Sequence, residues 1–302
     1  MTPDVSIVIV NWNAGELLAR CLDSLHPRGE LAAEVIVVDN ASIDGSASLG
    51  ARPGEALQLV LNVENVGFAR ACNQGIRRSG GRYVLLLNPD TRLVAGALEA
   101  LVAFMDAHPE AGAAGPTLLN PDGSLQPSGG QLPGLRRLLA IHPLLVRALR
   151  VPDDRLRRRD FGHVAAVEEA SGACLIVRRA AVEAVGLLDE RFFLYYEDVD
   201  WCRRLGAHGW KIYYVPQARV VHHWRSKTAP RPDGPVHHHR SQLWYVRKHF
   251  GPGAWLLLRA LSLAVYGGLL VAAAARAALR PVPARRDAVR RYRALLGAAL
   301  SG

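Results

Sequence analysis

The chain has 302 residues, a formal net charge of +10 and an apolar fraction of 50%. These values allow one large domain with an appendage and exclude global disorder. The four cysteines are scattered without a CxxC pair, which argues against structural zinc and favours buried thiols in a reducing compartment.

No secretory signal is expected at the start, which lacks a basic segment followed by an apolar one. Four strands are then predicted at 5–10, 34–39, 58–61 and 83–87, because these are short apolar runs rich in β-branched residues and leucine. Apolar residues at helical spacing separate them. This alternation predicts an α/β fold with a doubly wound, mostly parallel sheet. The chain has neither GxGxxG after the first strand nor GxxxxGK[ST], which excludes a dinucleotide-binding half and a P-loop.

The fourth predicted strand stops at Asn88-Pro89-Asp90. Proline cannot continue a central strand, so Asp90 is delivered to the carboxyl edge of the sheet, where open α/β folds bind ligands. Since the chain lacks a glycine-rich phosphate loop, a metal ion held by Asp90 is the natural means of binding a phosphate. The alternative is a solvated acid in an Asn-Pro-Asp turn.

Residues 126–160 differ in character from the segments around them. Prolines and glycines come first, followed by basic amphipathic stretches at 135–141 and 144–150. We predict a long excursion with one or two short helices, serving as a lid or binding loop. A helix at 95–108 and a strand at 113–119 precede it, and a strand at 172–177 and a helix at 179–185 follow.

A run of aromatic residues at 192–196 leads into Glu197 and Asp198. Either acid is placed to cap a helix that runs to about residue 208, and the free amides and helix dipole there favour an ionised carboxylate. A plain capping box is the alternative, whereas the aromatic run favours a walled pocket. Strands are predicted at 211–215 and 219–223. His222 is then a structural histidine unless a cation lies close to it.

The last part of the chain, 226–302, is predicted to be a helical appendage. Its apolar stretch at 254–279 has 16 uncharged residues between Arg259 and Arg276, short of the roughly 18–20 needed to span a bilayer. Arginines cluster at 276–293 and at 136–159 beside apolar segments, which favours an anionic membrane surface over nucleic acid. A hairpin on the membrane is preferred to a spanning helix, with a buried core helix as the third possibility.

Six stretches together resemble the family 2 inverting glycosyltransferases with a GT-A fold, and in particular the rhamnosyltransferase-like branch of cell-surface polysaccharide assembly. They are VSIVIVNWN (5–13), VIVVDNASIDGS (35–46), ENVGFARACNQGI (64–76), LLLNPDT (85–91), SGACLIVRR (171–179) and FFLYYEDVDWCRR (192–204). They follow the family's order and spacing. The resemblance implies a GT-A domain over 1–225, at the cytoplasmic, inner face of the plasma membrane.

The resemblance also implies site residues at the matching positions. The residues expected on the nucleotide-sugar donor are Asn11, Asp39, Asp44, Asn65, Gly67, Asn73 and Asn88. Asp90 matches the last acid of the DxD motif and implies Mg²⁺ or Mn²⁺ on the diphosphate. Asn88 occupies the first position of that motif, so much of the cation's binding must come from phosphates. Asp198 resembles the general base, while Glu197 would orient the acceptor or bond to backbone.

The implied reaction moves a sugar from a dTDP- or UDP-sugar to a lipid-linked or polysaccharide acceptor by single displacement, with L-rhamnose from dTDP-rhamnose expected first. One alternative is a sugar nucleotidyltransferase, which would need a glycine-rich basic loop that VSIVIVNWNAG lacks. The other is a catalytically silent, membrane-associated partner of an assembly complex. Asn88 favours that alternative, and the presence of Asp90 and Asp198 argues against it.

Overall fold

The structure, a computed structural model, describes residues 2–25, 31–49, 57–151, 162–224, 233–280 and 282–301. It divides into two compact units. The first comprises Met1–Leu132, Asp154–Phe193 and Glu197–Thr228, and the second comprises Pro133–Asp153, Leu194–Tyr196 and Ala229–Gly302. The predicted boundary at 225/226 and residues 152–160 of the predicted excursion lie outside the described residues.

Twelve strands are found among the described residues of the first unit. They are β1 Val5–Asn11, β2 Ala33–Asp39, β3 Leu57–Leu61, β4 Tyr83–Leu87, β5 Thr91–Leu93, β6 Ala111–Leu119, β7 Leu125–Gln126, β8 Gly129–Gly130, β9 Ala165–Val167, β10 Glu169–Ala170, β11 Cys174–Arg178 and β12 Lys211–His222. Ten of them form one sheet in the order β3-β2-β1-β4-β11-β6-β12-β5, with β7 on β6 and β9 on β12, while β8 and β10 pair separately.

The four strands from β3 to β4 run parallel, and β11 then pairs antiparallel with both β4 and β6. The α/β fold with a mixed, doubly wound sheet is therefore confirmed, and the antiparallel strands lie in its second half. The predicted strands at 211–215 and 219–223 are one strand, β12, whose pairing with β6 shifts register between Val215 and Arg219.

Helices cover both faces of the sheet. Those of the first unit are α1 Glu16–Asp23, α2 Ser46–Leu49, α3 Phe68–Arg78, α4 Ala97–Ala107, α7 Arg179–Val185 and α8 Glu197–Ala207. Strand β1 explains the layering, because alternate side chains point to opposite faces. Ile7 and Ile9 pack with α1 and α4 in one core, whereas Val8 and Val10 pack with α3 and α8 in the other. Strands buried on both faces read as continuous apolar runs.

The second unit is helical in its described residues. Its helices are α5 Leu135–Leu139, α6 Pro143–Ala148, α9 Gly234–Leu279 and α10 Pro283–Ser301, which confirms the predicted short helices of the excursion. Helix α9 is interrupted at Gly251, where φ is 85° and Pro252 follows. Among the described residues α9 is the one helix long and apolar enough to cross a membrane, and 22% of its most apolar stretch is buried.

The aromatic run at 192–196 is divided between the two units. Phe192 is buried without exposure, whereas Tyr195 and Tyr196 belong to the second unit and both have left-handed backbones, with φ of 70° and 68°. Within that unit the ring of His238 lies 5.6 Å from that of Tyr195 and 5.2 Å from that of Tyr196. Backbone strain of this kind persists only where surrounding contacts hold it.

Candidate active site

The carboxyl ends of three parallel strands meet at one edge of the sheet. Asn11, the last residue of β1, is the register partner of Asp39, the last residue of β2. On the other side of β1, Ile9 is paired with Leu87 at the end of β4. The loops that carry the predicted donor residues and Asp90 therefore start side by side, at the edge where α/β sheets bind ligands.

Asn11 and Asp39 form the centre of a buried polar cluster. The Asn11 Nδ2 group donates to Asp39 Oδ1 at 2.7 Å and to Ser46 Oγ at 2.8 Å, while Asp39 Oδ2 accepts from the Ser42 amide at 2.9 Å. Because a carboxylate only accepts, Asp39 fixes the orientation of the Asn11 amide. The Asn11 Oδ1 atom is thereby left buried without a partner among the described residues.

Asp44 ties the loop after β2 to the loop after β1. One carboxylate oxygen accepts from the Ser46 amide at 3.0 Å and the other from the Gly15 amide at 2.8 Å. Partial burial favours the neutral acid, but the hydrogen bonds from Ser46 and Gly15 outweigh it and hold the pKa of Asp44 below its ordinary value. Asp44 is therefore an ionised link between the two loops.

Asp90 lies beside His222 in the structure, a proximity that the sequence alone does not reveal. The Asp90 Oδ1 and His222 Nε2 atoms are 3.4 Å apart, and each side chain is 12% exposed. Two strands create this proximity, since His222 ends β12 as the register partner of Thr91 on β5. The Asp90 carbonyl also accepts from the His223 amide at 2.9 Å.

Gln126 determines which nitrogen of His222 faces Asp90. Its Nε2 group donates to the His222 carbonyl at 2.6 Å and to Asn120 Oδ1 at 2.9 Å, so its Oε1 atom is the acceptor 3.1 Å from His222 Nδ1. The Nδ1 atom must then carry the proton. When the ring is neutral, Nε2 presents a lone pair beside the Asp90 carboxylate, so both atoms can act as ligands of a cation.

The Asp90–His222 pair fits a divalent cation that takes its remaining ligands from elsewhere. The described residues contain no group of three or more His, Cys, Asp or Glu side chains able to hold a metal. Two protein ligands leave several coordination positions for phosphate oxygens and water. An imidazole ligand favours Mn²⁺ over Mg²⁺, which prefers oxygen ligands.

Asp198 is joined to the turn that carries Asp90 by two consecutive residues, Gly172 and Ala173. The Asp198 Oδ2 atom accepts from the Gly172 amide at 2.8 Å, and the carbonyl of the adjacent Ala173 accepts from the Asn88 amide at 2.9 Å. A side chain at residue 172 would crowd the acid, because a Cβ at Gly172 would lie 3.2 Å from Asp198 Cβ. The connection places Asp198 near the Asn88–Asp90 turn.

Both acids at the start of α8 have raised pKa values, whereas the helix start taken alone favours ionisation. Burial raises the pKa of Asp198, and hydrogen bonds from the amides of Gly172 and Val199 oppose that rise only partly. Glu197 is 5% exposed, and its Oε2 atom has no partner among the described residues. Burial first and the neighbouring Asp198 second raise the pKa of Glu197 well above its ordinary value. Asp198 is the stronger candidate for an ionisable base.

Gly67 allows a close approach that the sequence attributed to a nucleotide. The group that approaches it in the structure is Phe193, because a Cβ at Gly67 would lie 2.8 Å from the Phe193 carbonyl oxygen. The Phe68 amide donates to the same oxygen at 2.7 Å. Asn65 Oδ1 accepts from the Gly67 amide at 3.0 Å, which fixes the turn into α3.

Gly67→Ala is expected to destabilise the protein by about 1–3 kcal/mol or more, because φ 88° and ψ 165° belong to a region that essentially only glycine adopts. Urea unfolding followed by circular dichroism would measure the loss. Gly96→Ala is the control for a positive φ alone and should lose less, since Gly96 has φ 86° and ψ −1°, in the left-handed region that other residues can adopt, and no atom within 4 Å of its Cβ position. Equal losses in the two variants would show that contact with Phe193 adds nothing.

Asn73 and Arg204 serve the fold in the structure. Asn73 is 1% exposed, its Nδ2 group donates to the Leu188 carbonyl at 2.9 Å and to Glu190 at 3.0 Å, and its Oδ1 atom accepts from the Leu188 amide at 3.1 Å. These bonds leave little of its amide for a nucleotide. Arg204 pairs with the buried Asp200 at 2.9 Å, one helical turn before it.

Sequence reasoning missed three residues that shape the site. The Gln126 side chain sets the tautomer of His222, the Gly172 amide donates to the Asp198 carboxylate, and the Ser46 hydroxyl accepts from the Asn11 side-chain amide. Ser46 and Gly172 lie in stretches that carry the family resemblance, so their motifs offered a signal. Gln126 opens the glycine-rich segment predicted as an excursion, and no local pattern there indicates a partner for His222.

Comparisons with known proteins agree on the kind of protein. The family model "Glycosyl transferase family 2" matches residues 6–186. The chain is 33% identical over 289 residues to the N-acetylglucosaminyl-diphospho-decaprenol L-rhamnosyltransferase of Mycobacterium tuberculosis (strain ATCC 25618 / H37Rv), covering 87% of this chain and 92% of the relative. It is 28% identical over 195 residues to the dTDP-rhamnosyl transferase RfbF of Shigella flexneri, covering 62% and 59% respectively.

Two solved structures resemble the fold. GalNAc-T7 with UDP, GalNAc and Mn²⁺ superposes with a TM-score of 0.56 at 19% identity, covering 80% of this chain and 47% of that protein. The mannosyltransferase PcManGT from Pyrobaculum calidifontis, in complex with GDP-Man and Mn²⁺, gives a TM-score of 0.53 at 19% identity, covering 100% and 87%. At these identities the likeness concerns the fold alone, and it confirms a GT-A-like fold.

Proposed function

Because this chain belongs to glycosyl transferase family 2 and is a glycosyltransferase, we propose that it transfers L-rhamnose from a dTDP-linked donor to a lipid-linked acceptor, with inversion at the anomeric carbon. The connection from Asp198 through Gly172 and Ala173 to Asn88 carries the proposal. It brings a basic carboxylate to the strand end that bears Asp90. A glycosyltransferase is neither a sugar nucleotidyltransferase nor a silent partner, so both alternatives fall away.

In the proposed reaction, an acceptor hydroxyl oxygen attacks the anomeric carbon of the donor sugar. The bond from that carbon to the diphosphate oxygen breaks, and the nucleotide diphosphate leaves with the electron pair. The hydroxyl proton passes to Asp198, a step typically worth roughly 10²–10⁴-fold in rate. The raised pKa of Asp198 makes it a better base than an ordinary aspartate. A single displacement of this kind inverts the anomeric centre.

Asp90 and His222 are proposed to hold a divalent cation, with Mn²⁺ favoured by the imidazole ligand. A cation bound there supplies positive charge that stabilises the departing diphosphate. Asn88 lies in the same turn and leaves Asp90 as the only carboxylate of the motif. Gln126 holds His222 in the tautomer that can ligate, which makes Gln126 a positioning residue.

The nucleoside is proposed to bind beside Asn11, Asp39 and Asp44, where Asp39 would accept the imide N–H of the base. Support comes from the shared edge of β1 and β2 and from the amide and hydroxyl groups gathered there. Asn65 and Gly67 are assigned to the turn that shapes this side of the site. We assign Asn73 to anchoring Leu188 and Glu190, in place of the nucleotide contact expected from its motif.

The acceptor is proposed to be an N-acetylglucosamine linked through diphosphate to a polyprenol. The relative that shares 33% identity is named for such a substrate, and the two chains match over most of their lengths. We place the reaction at the cytoplasmic face of the plasma membrane, where a soluble nucleotide sugar meets a lipid acceptor. The four free cysteines, all buried, suit a reducing compartment.

A donor screen tests the proposal. Purified protein with Mn²⁺ and a short-chain, detergent-soluble polyprenyl-diphosphate N-acetylglucosamine would be given dTDP-L-rhamnose, UDP-glucose, UDP-N-acetylglucosamine or GDP-mannose in parallel. We expect nucleotide diphosphate release with dTDP-L-rhamnose, an acceptor heavier by one deoxyhexose in the mass spectrum, and an inverted anomeric centre by NMR.

The omission of acceptor is the control for donor hydrolysis. Transfer from another donor alone would refute rhamnose while keeping the reaction class. A product with retained configuration would refute single displacement and the role of Asp198. Absence of transfer from every donor, in protein that binds dTDP, would refute the proposed acceptor class.

A further inference from the structure

Three buried side-chain atoms of the first unit have no hydrogen-bond partner among the described residues. They are Asn11 Oδ1, Glu197 Oε2 and Ser128 Oγ. Buried polar groups are nearly always paired in native proteins, because an unpaired group loses its hydration without compensation. Asn11 and Glu197 belong to stretches that match the family. Ser128 lies outside those stretches and is 4% exposed, so its hydroxyl needs an explanation of its own.

The side chain of Ser128 points to the same side of its segment as that of Gln126. The segment connects β7, which ends at Gln126, to β8, which begins at Gly129. Gln126 and Ser128 are both buried, whereas Pro127 between them is exposed. Side chains two residues apart share one side of an extended segment. The Ser128 hydroxyl therefore lies on the side where Gln126 contacts His222.

The backbone of Ser128 is tied to the residues that hold Asp198. Its carbonyl accepts from the Ser171 amide at 2.9 Å, next to the pairing of β8 with β10. The following amide, that of Gly172, donates to Asp198 Oδ2 at 2.8 Å. Ser128 thus belongs to one connected piece of backbone that supports the proposed base at one end and, through Gln126, the proposed cation ligand at the other.

A serine hydroxyl suits a sugar as its partner. It donates one hydrogen bond and accepts others, and the hydroxyl and acetamido groups of a sugar have the same mixed capacity. In the proposed reaction Asp198 contacts the acceptor, whereas the residues proposed for the nucleoside lie at the ends of β1 and β2. Since Ser128 is tied to the support of Asp198, the acceptor is the substrate that its hydroxyl is placed to meet.

We propose that Ser128 is an acceptor-binding residue, whose hydroxyl forms a hydrogen bond with a hydroxyl or the acetamido group of the acceptor sugar, beside the oxygen that attacks the donor. The inference deepens the proposed function, on which it rests for the acceptor and for the role of Asp198. The acceptor would supply the partner that the Ser128 hydroxyl lacks in the free protein. A site built to bond such a group discriminates against acceptors without it.

Ser128→Ala should weaken the use of acceptor without weakening the fold. With saturating dTDP-L-rhamnose, the KM for the short-chain acceptor should rise about 10-fold through loss of one hydrogen bond. The KM for the donor should stay as in wild type. Thermal unfolding should occur at or above the wild-type temperature, because alanine removes a buried hydroxyl that has no partner among the described residues.

Ser6→Ala is the matched control, because Ser6 is a buried serine whose hydroxyl is fully used by the fold. It donates to Glu34 Oε1 at 2.6 Å and accepts from the Gly81 amide at 2.8 Å. Ser6→Ala should therefore unfold at a lower temperature and keep the wild-type KM values. Ser128→Cys separates hydrogen bonding from shape. A thiol is similar in shape but a weak hydrogen-bonding group, so the acceptor KM should rise nearly as much as with alanine.

Acceptor analogues identify the group that Ser128 binds. Analogues that each lack one hydroxyl or the acetamido group would be assayed with wild type and with Ser128→Ala. For one analogue, kcat/KM with wild type should fall about 10-fold, as it does when the serine is replaced. The variant should use that analogue no worse than wild type does, because the two changes remove the same hydrogen bond.

Several results would overturn the inference. A rise confined to the donor KM would assign the hydroxyl to the donor sugar, and a lowered unfolding temperature like that of Ser6→Ala would assign it to the fold. Losses that add for every analogue would show that no group of the acceptor is bound. Transfer by wild type with unchanged kinetics in Ser128→Ala would refute the Ser128 contact alone, whereas absence of transfer by wild type would refute the proposed function itself.

Discussion

Asp198→Asn should lower kcat by roughly 10²–10⁴-fold while dTDP binds as it does to wild type, because the substitution removes the proposed proton acceptor and leaves the β1–β2 edge intact. Stopped-flow or coupled detection of nucleotide diphosphate release gives kcat, and calorimetry gives the dTDP dissociation constant. The Gly172 and Val199 amides donate to different oxygens of Asp198, and asparagine replaces one of these acceptors by an NH₂ group. Thermal unfolding should therefore accompany the kinetics.

Glu197→Gln is the matched control for this prediction. Burial and the adjacent Asp198 raise the pKa of Glu197 well above its ordinary value, so the fold favours the protonated, uncharged side chain. Glutamine has nearly the same shape and is also neutral, so this variant should keep most of its activity. The opposite pattern, an inactive Glu197→Gln and an active Asp198→Asn, would transfer the role of base to Glu197.

The pH profile of kcat/KM tests the same assignment through protonation. A base must be ionised to act, and burial raises the pKa of Asp198 above the ordinary value of 3.8. Activity should fall as the pH drops through that raised pKa, at a higher pH than for an exposed aspartate. Asp198→Asn should abolish this acidic limb in its residual activity, and a limb that persists would belong to another group.

Stability should show the pH dependence that follows from a raised carboxyl pKa. The folded state holds the Glu197 proton more tightly than the unfolded chain does, and this difference stabilises the protonated protein. The stabilisation is complete below the unfolded pKa near 4.5 and is lost as the pH rises through the raised pKa of the folded state. Glutamine has no proton to lose. The Glu197→Gln protein should thus gain stability over wild type toward alkaline pH in chemical unfolding.

The parts of the fold that the sequence predicts well are those determined locally. The strands that end at Asn11, Asp39 and Leu87 are apolar runs buried on both faces, and Pro89 stops the last of them whatever packs around it. The position of Asp90 at the carboxyl edge follows from these facts alone. The antiparallel placement of β11 does not, because its apolar run is equally suited to either direction.

The tautomer of His222 and the pKa of Asp198 depend on residues that are far away in the sequence, so the sequence alone does not predict them. Gln126 and His222 are 96 positions apart, and their contact requires β7 and β12 to pair with the same strand, β6. The helix start taken alone favours an ionised Asp198, whereas burial outweighs the backbone hydrogen bonds there and raises its pKa. Local motifs identify a carboxylate, whereas the protein around it decides its charge.

Asp90→Ala should weaken binding of dTDP in the presence of Mn²⁺ by about 100-fold or more and leave the much weaker metal-free binding unchanged, since Asp90 is the only carboxylate proposed to touch the cation. Calorimetric titration of dTDP in the presence of Mn²⁺ and in the presence of EDTA separates metal-dependent from metal-free binding. Wild-type activity should be lost in excess chelator and restored by Mn²⁺. Glu16→Ala is the control, because it removes an acid that is 82% exposed on the surface of α1.

Gln126→Leu extends this prediction to the tautomer of His222. Leucine removes the acceptor that holds the proton on Nδ1, so the ring is free to place its proton on Nε2, where it would donate to Asp90 and cease to be a ligand. Mn²⁺ affinity should fall about 10–100-fold, and the loss should nearly disappear when Asp90 is already alanine, because the two residues act on one cation. Two results would show that the Asp90–His222 pair is only a structural contact: additive losses of affinity in the double variant, or full activity of the wild type in excess EDTA. Asp198 would then have to act without a cation on the leaving diphosphate.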